Sequence, residues 1–142
     1  MADIALTAAQ IAPVHPLQAI VYSGIAASAI TKGQPLYQVV ATGKMAAADA
    51  NAANLQQVRG IALNAASAGD TVDYLQTGHM YGYTLTSQSF DDPIFLSDTA
   101  GSLADAAGTL EVPVGVVVAL PQGDGSLTKV ILFDIRIGAD WA

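Results

Sequence analysis

The sequence contains two copies of one pattern, and this internal repeat limits the possible folds more than any other feature. Each copy opens with a proline, a branched aliphatic residue and an aromatic residue. A glycine follows eight positions after the proline, then an Ala/Asp-rich tract, then two strand-like runs joined by a turn of small residues. The corresponding parts are 35–37 and 93–95, Gly43 and Gly101, and the paired runs 58–75 and 114–132. Agreement in order, spacing and residue class predicts two similar halves that pack into a single core.

The segments within each copy have the two-residue period of β-strands. Residues 71–75 alternate as a half-buried strand does, after a cluster of turn formers at 64–70. The last strand has one apolar and one charged face. Its apolar residues are Ile131, Phe133, Ile135 and Ile137, and its charged residues are Asp134 and Arg136. Short strands at even intervals, separated by Gly/Asp turns, predict an all-β fold, a single-domain β-sandwich or jelly-roll-like barrel with two internally repeated halves.

The pattern divides the chain into an extended N-terminal arm, residues 1–16, and one β domain, residues 17–142. The repeat halves of that domain span about 34–77 and 92–137. Pro13 and Pro16 exclude a regular helix at the end of the arm, so we expect the arm to lie extended on another surface.

Three other segments carry local predictions. Gln18–Tyr22 is expected to form a strand. Tyr81–Leu85 alternates, which places both tyrosines and Leu85 on one face of a further strand. Ala46–Leu55 is rich in alanine, which fits a short helix, but its Asp and Asn residues suit turns equally well.

Composition excludes several classes of partner. The net charge is −7 and the five basic residues are scattered singly, so we expect no nucleic acid as a partner. No apolar run approaches the roughly 20 residues that span a bilayer, so we expect no membrane as a partner either. Charged residues make up only 12% of the chain and apolar residues 52%. Such sparse charge predicts that other chains cover part of the surface, as in a homodimer or homotrimer.

Residues able to perform chemistry are few. His15 and His79 lie far apart in sequence, and a polar loop histidine is a better interpretation of each than a catalytic or metal-binding pair. Asp91 and Asp92, with Asp98, could bind calcium, but they also suit a strand-entry turn and lack EF-hand spacing. We therefore assign no catalytic residue, no cofactor and no metal, and expect no enzyme activity.

Lys44 raises the alternative of a carrier domain. Lipoyl and biotinyl carrier domains present a modified lysine in a turn of a two-copy β domain. Those families use Met-Lys-Met or Asp-Lys-Ala, whereas this chain has Gly-Lys-Met at 43–45. A solvated turn lysine is the better interpretation.

Four segments together resemble the tailed-bacteriophage head decoration (capsid cement) proteins. These segments are 33–37, 43–49, 59–63 and 68–72, so the likeness is best over Ile30 to Leu75 and looser in the second half. The resemblance implies a β-rich virion protein, made in the host cytoplasm, that oligomerises on the capsid exterior. It also implies that the protein clamps adjacent subunits of the major capsid protein. A phage fibre or receptor- or sugar-binding β module is the alternative.

Large apolar residues near the chain ends are candidate interface anchors. Trp141 is the single tryptophan, and its burial on a partner would be favourable by roughly 2–3 kcal/mol. Folding back onto its own domain is the equal alternative. The same reasoning extends to Ile4 and Leu6 in the arm.

Overall fold

A computed structural model describes residues 2–14, 16–51, 55–121 and 124–135. These residues form ten β-strands and two short 3-10 helices, at Ala8–Gln10 and Pro16–Gln18. The strands are β1 (Ala12–Pro13), β2 (Ile20–Ile25), β3 (Pro35–Gln38), β4 (Met45–Ala47), β5 (Val58–Ala62), β6 (Thr71–Tyr81), β7 (Pro93–Leu96), β8 (Leu103–Ala104), β9 (Pro113–Pro121) and β10 (Leu127–Asp134). They belong to a curled antiparallel sheet that forms a half-barrel, which confirms the predicted all-β fold class.

The order of the strands repeats the order of the sequence copies. Across the sheet the strands run β4-β3-β5-β6-β10-β9-β7-β8, and β1 and β2 pair with the other edge of β6. The first copy therefore supplies β4-β3-β5-β6 and the second supplies β8-β7-β9-β10 in the same internal order. The two copies join where β6 pairs antiparallel with β10, with Thr77 opposite Asp134.

The register is also shared between the copies. Leu36 in β3 lies opposite Gly60 in β5, and Ile94 in β7 lies opposite Gly115 in β9. A register shift follows each of these pairs, between Leu36 and Tyr37 and between Ile94 and Phe95. Each shift leaves one extra residue on β5 or β9 at the same place in the two copies, which is the pattern of a β-bulge.

The repeated glycines have two structural causes. Gly43 and Gly101 have φ angles of 75° and 78°, a left-handed backbone conformation that glycine adopts without a steric penalty. Gly60 and Gly115 instead permit close approach of strands. A Cβ atom would lie 2.7 Å from the Leu75 carbonyl oxygen at Gly60, and 2.6 Å from the Leu132 carbonyl oxygen at Gly115.

Two apolar clusters fill the interior. The larger one draws on both copies and on the arm, and its largest members include Leu75, Met80, Ile94, Leu96, Ile131 and Phe133. The smaller one combines residues of the first copy with two from the segment before it. It consists of Ala26, Ile30, Leu36, Met45, Ala62, Ala66 and Val72.

The outer ends of the curled sheet are linked by hydrogen bonds. The segment after β4 contacts the turns around β7 and β8. Ala50 N–H donates to the Ser97 carbonyl at 2.8 Å, and Gly101 N–H donates to the Ala48 carbonyl at 2.9 Å. Because β4 and β8 are the two ends of the strand order, these bonds draw the sheet round the shared core.

The N-terminal arm lies along its own domain. Ile4 N–H donates to the Leu103 carbonyl at 2.8 Å, and Asp3 forms a β-bridge with Ala104. Further along, Leu6 bridges Tyr83, and β1 pairs with the end of β6. The surface on which the arm lies is therefore the sheet of the same chain, from β8 to β6.

Two of the strands predicted from local patterns differ from those in the structure. The expected strand at Gln18–Tyr22 is shifted, since Pro16–Gln18 is a 3-10 turn and β2 begins at Ile20. The expected strand at Tyr81–Leu85 is wrong, because Gly82 has a φ of 108° and ends β6 at Tyr81. Tyr81 is consequently exposed, whereas Tyr83 and Leu85 are buried.

Two other predictions are partly outside the described residues. The Ala46–Leu55 tract opens as strand β4, so its described beginning is neither helix nor turn. In the last strand Ile131, Phe133 and Ile135 are buried and Asp134 is exposed, as expected. Arg136 and Ile137 lie outside the described residues.

Candidate interaction surface

Strand β2 lies at an edge of the sheet and is exposed along most of its length. In the part of the chain that the structure describes, β2 pairs along its length with β6 alone, and β4 reaches only the residue after it, where Met45 bridges Ala26. Four of its six residues are large, apolar and at least two-fifths exposed: Ile20 (47%), Val21 (44%), Tyr22 (51%) and Ile25 (41%). We call these four side chains and the free backbone beside them the β2 edge.

The β2 edge lacks the features that normally protect edge strands. Soluble β proteins place lysine, other charged side chains or proline on such strands, because an open edge pairs readily with another chain. Here no Asp, Glu, Lys or Arg occurs between Asp3 and Lys32, and β2 itself contains no proline. The exposed apolar edge is therefore a candidate protein-interaction surface.

The ladder between β2 and β6 determines which backbone groups face outward. Ala26 N–H donates to the Asp70 carbonyl at 2.9 Å, in the same register as the pairing of Tyr22 with Tyr74. Hydrogen-bonded pairs alternate along an antiparallel ladder, so Tyr22 and Gly24 bond to β6. Val21 and Ser23 consequently direct their N–H and C=O groups away from β6, toward the open edge.

Side-chain contacts hold β2 against β6. The rings of Tyr22 and Tyr74 lie with their centroids 6.2 Å apart and their planes tilted by 35°. The Ser23 hydroxyl donates to Asp73 Oδ1 at 2.5 Å. Burial raises the pKa of the Tyr74 hydroxyl, and the positive charge of Arg59 partly opposes that effect. These contacts make β2 an ordered strand with a defined outer edge.

Two of the candidate anchors predicted from the chain ends, Ile4 and Leu6, lie away from the β2 edge. Ile4 is only 7% exposed and belongs to the larger core, and Leu6 packs against the same core. Both side chains are thus in contact with their own chain. Trp141 lies outside the described residues, and its role as an anchor stays a prediction.

Lys44 and His79, two of the residues considered for chemistry, lie on different elements of the fold. Lys44 is exposed in the turn between β3 and β4, where its backbone N–H donates to Thr42 Oγ1 at 3.3 Å. His79 is half-buried in strand β6 rather than in a loop, so the loop interpretation is wrong for this residue. His15 lies outside the described residues.

The aspartates considered for calcium bind backbone groups of turns. Asp92 Oδ2 accepts from Ser89 N–H at 2.7 Å, and Asp98 Oδ1 accepts from Thr109 N–H at 2.8 Å. Asp124 does the same in the turn before β10, where hydrogen bonds from Ser126 lower the pKa of its carboxyl group. Among the described residues, no group of three His, Cys, Asp or Glu side chains is placed to hold a metal ion.

The sequence signal for the β2 edge is the absence of charge. Alternation alone predicts a strand near this position and leaves its outer edge undecided, because exposure depends on which strands pair. The long uncharged segment between Asp3 and Lys32 marks the region. Within it only the structure separates buried residues such as Ile11 and Ile30 from exposed ones such as Ile20 and Val21.

Comparisons with known proteins add no assignment. The sequence matches no protein-family model and no curated protein. Within the described residues, no helix has the length and apolar character needed to cross a membrane.

Proposed function

We propose that this protein is a structural virion protein that binds the outer surface of a tailed-bacteriophage capsid and bridges subunits of the major capsid protein. The β2 edge carries the proposal, because a bridging layer needs contact between copies and an ordered, uncharged and exposed edge strand is suited to contact with another copy of this chain. The resemblance of residues 30–75 to capsid decoration proteins supplies the biological setting. The partners are then the major capsid protein and other copies of this chain.

The mechanism follows from a compact domain present in many copies. A bridging protein opposes separation of capsid subunits under the pressure of the packaged genome. Each copy contributes a modest contact, and the symmetric shell adds these contacts through avidity. The hydrogen bonds between the segment after β4 and the turns around β7 and β8 link the two ends of the sheet, so that the domain resists deformation when it is pulled between two capsid subunits.

Charge determines how the protein approaches the capsid. The chain carries a net charge of −7, so its surface complements basic or polar patches on the capsid exterior. Acidic side chains that bind turns, such as Asp92 and Asp98, add fixed negative charge at the surface. Attachment therefore combines a salt-sensitive electrostatic contribution with apolar contact that salt does not screen.

The test compares capsids with and without the protein. Mass spectrometry first identifies purified phage particles that carry the protein. The protein is then stripped from a sample of these particles under mild conditions, and stripped and untreated particles are heated in parallel. We expect stripped particles to release DNA at a lower temperature, and re-addition of the protein to restore the original release temperature. An unrelated acidic protein of similar size is the control for re-addition.

Two results would contradict the proposal. One is equal release temperatures for stripped and decorated particles. The other is absence of the protein from purified virions in the lysate of the cells that produce it.

A further inference from the structure

We propose that two copies of this chain pair their β2 strands antiparallel about a two-fold axis, with Tyr22 opposite Tyr22 of the second copy. The pairing would join two half-barrels through one continuous sheet. It goes beyond the proposed function, because it concerns the free protein in solution and requires no capsid.

The backbone supports one register in particular. Val21 and Ser23 both direct N–H and C=O groups toward the open edge, as the β2–β6 ladder requires. With Tyr22 on the two-fold axis, Val21 of each copy faces Ser23 of the other. Both of these pairs are then of the hydrogen-bonded type, in which the N–H of each residue donates to the carbonyl of the residue opposite. A two-fold axis at Ser23 would pair Val21 with Ile25 of the second copy, at the point where Met45 of β4 already bridges Ala26. An axis at Val21 would pair Ser23 with Ala19, which lies outside β2.

The side chains suit the same register. Tyr22 would form a non-hydrogen-bonded pair with its counterpart, the type of antiparallel pair in which side chains are closest. Each Tyr22 ring already packs on Tyr74 within its own chain, at 6.2 Å between centroids. Pairing would therefore extend two separate aromatic pairs into a row of four rings across four strands.

Charge favours a second copy over a different partner. The β2 edge contains no charged residue, so it offers no complementary charge to a basic or an acidic partner. A second copy presents an equally uncharged edge, and its self-complementary strand satisfies the requirement of a two-fold interface. An acidic side chain beside the edge, Asp73 on β6, is bonded to Ser23. The backbones of the two β6 strands would be three strand spacings apart, about 14 Å, and each Asp73 carboxylate is bonded to Ser23 of its own chain.

Single-cysteine variants test the register directly, because the chain contains no cysteine. In the proposed dimer the Cα atoms at position 22 lie about 4.5 Å apart, within the range for a disulfide. We expect Tyr22→Cys to give a disulfide-linked dimer with oxidised glutathione. Ser23→Cys would place its Cα atoms roughly 9 Å apart, too far for a disulfide. Ala41→Cys, in the exposed turn between β3 and β4, is the matched surface control.

A charge variant tests the same interface without cross-linking. Tyr22→Lys places two ammonium groups directly opposite each other in the dimer and should weaken dimerisation at least about tenfold by equilibrium sedimentation. Val40→Lys adds the same charge at a side chain that is 81% exposed in the β3–β4 turn, and should leave dimerisation unchanged. Thermal melting followed by circular dichroism confirms that both variants fold.

Any one of three results would overturn the proposal. The first is a wild-type protein that sediments as a monomer or a trimer at micromolar concentration. The second is cross-linking of Ser23→Cys or Ala41→Cys as readily as Tyr22→Cys, and the third is a folded Tyr22→Lys protein that dimerises like the wild type. A capsid that melts alike with and without the protein would contradict the proposed function and leave these measurements unaffected.

Discussion

The absence of a Cβ atom explains why glycine occurs at the same place in the two copies. Gly60 and Gly115 occupy equivalent places on β5 and β9, each beside a carbonyl of the neighbouring strand and each next to a register shift. The larger core also contains a polar group, the hydroxyl of Tyr83, which donates to the Gly33 carbonyl at 2.9 Å. These positions lead to two predictions.

Gly60→Ala should destabilise the fold. The added Cβ would lie 2.5 Å from Tyr74 Cδ2 and 2.7 Å from the Leu75 carbonyl oxygen, and the backbone oxygen cannot move without disturbing the ladder. We expect a loss of about 1–3 kcal/mol in the free energy of unfolding, measured by urea denaturation. Ser28→Ala, at an exposed loop position, is the control. A Gly60→Ala protein as stable as this control would show that the strands do not approach so closely.

Tyr83→Phe should change how stability depends on alkaline pH. Burial raises the pKa of the Tyr83 hydroxyl above its usual value near 10. The folded form therefore stays protonated where the unfolded chain ionises, so the stability due to this group is complete below pH of about 10 and is lost as pH rises further. Tyr83→Phe should cost about 1 kcal/mol at pH 7, from the lost hydrogen bond, and should lose less stability above pH of about 10.

Urea unfolding between neutral and alkaline pH measures this difference. Tyr81→Phe removes a hydroxyl from an exposed ring and is the matched control. Parallel loss of stability in Tyr83→Phe and the wild type above pH of about 10 would contradict a buried, protonated Tyr83.

At the scale of elements, the arm and β2 lie on the same domain but have opposite surroundings. The arm connects β8 to β6 through backbone bonds and buries Ile4 and Ile11 in the larger core. Strand β2 follows the arm in sequence and leaves its large apolar residues exposed. The arm therefore contributes to stability, and β2 is available for association.

Ile4→Ala should lower the stability of the isolated chain. Ile4 is buried in the core, so its truncation should cost about 2–4 kcal/mol in the free energy of unfolding. Ala5→Ser, at the exposed neighbouring position, should have little effect and is the control. If Ile4→Ala matched this control, the arm would not be packed on the domain, and the interpretation of Ile4 as an anchor on a partner would gain support.

At the scale of the whole molecule, charge and apolar surface are separated. The net charge of −7 comes from residues outside the segment between Asp3 and Lys32, and the β2 edge lies within that uncharged segment. Self-association through β2 and attachment to a capsid should therefore respond differently to salt.

Raising NaCl from about 0.05 M to about 0.5 M should leave the dimer intact or strengthen it, because salt screens repulsion between two acidic copies. The same change should weaken attachment to capsids, which relies on opposite charges. Sedimentation measures the dimer, and the number of copies retained per particle measures attachment. A dimer that dissociates at high salt would show that charge pairs hold it together, contrary to the uncharged edge.

The sequence by itself determined the local architecture. The repeated glycines, the alternating runs and the turn formers predicted an all-β domain with two similar halves, because these signals depend on each segment's own backbone and side chains. The equivalent turns at Gly43 and Gly101 and the buried face of the last described strand, from Ile131 to Ile135, follow from the same local rules.

The tertiary structure alone decided which residues became surface. Ile4 and Val21 belong to one uncharged stretch of sequence, yet Ile4 is buried and Val21 is exposed. The difference arises because β6 pairs with β2 on one edge and with β5 and β10 on the other. Among the described residues β4 reaches only the end of β2, where Met45 bridges Ala26, so the outer side of Val21 stays exposed. Similarly, Gly82 turns Tyr83 into the core and leaves Tyr81 outside. Strand partnership is a long-range choice, so a local pattern predicts a strand but not what lies beside it.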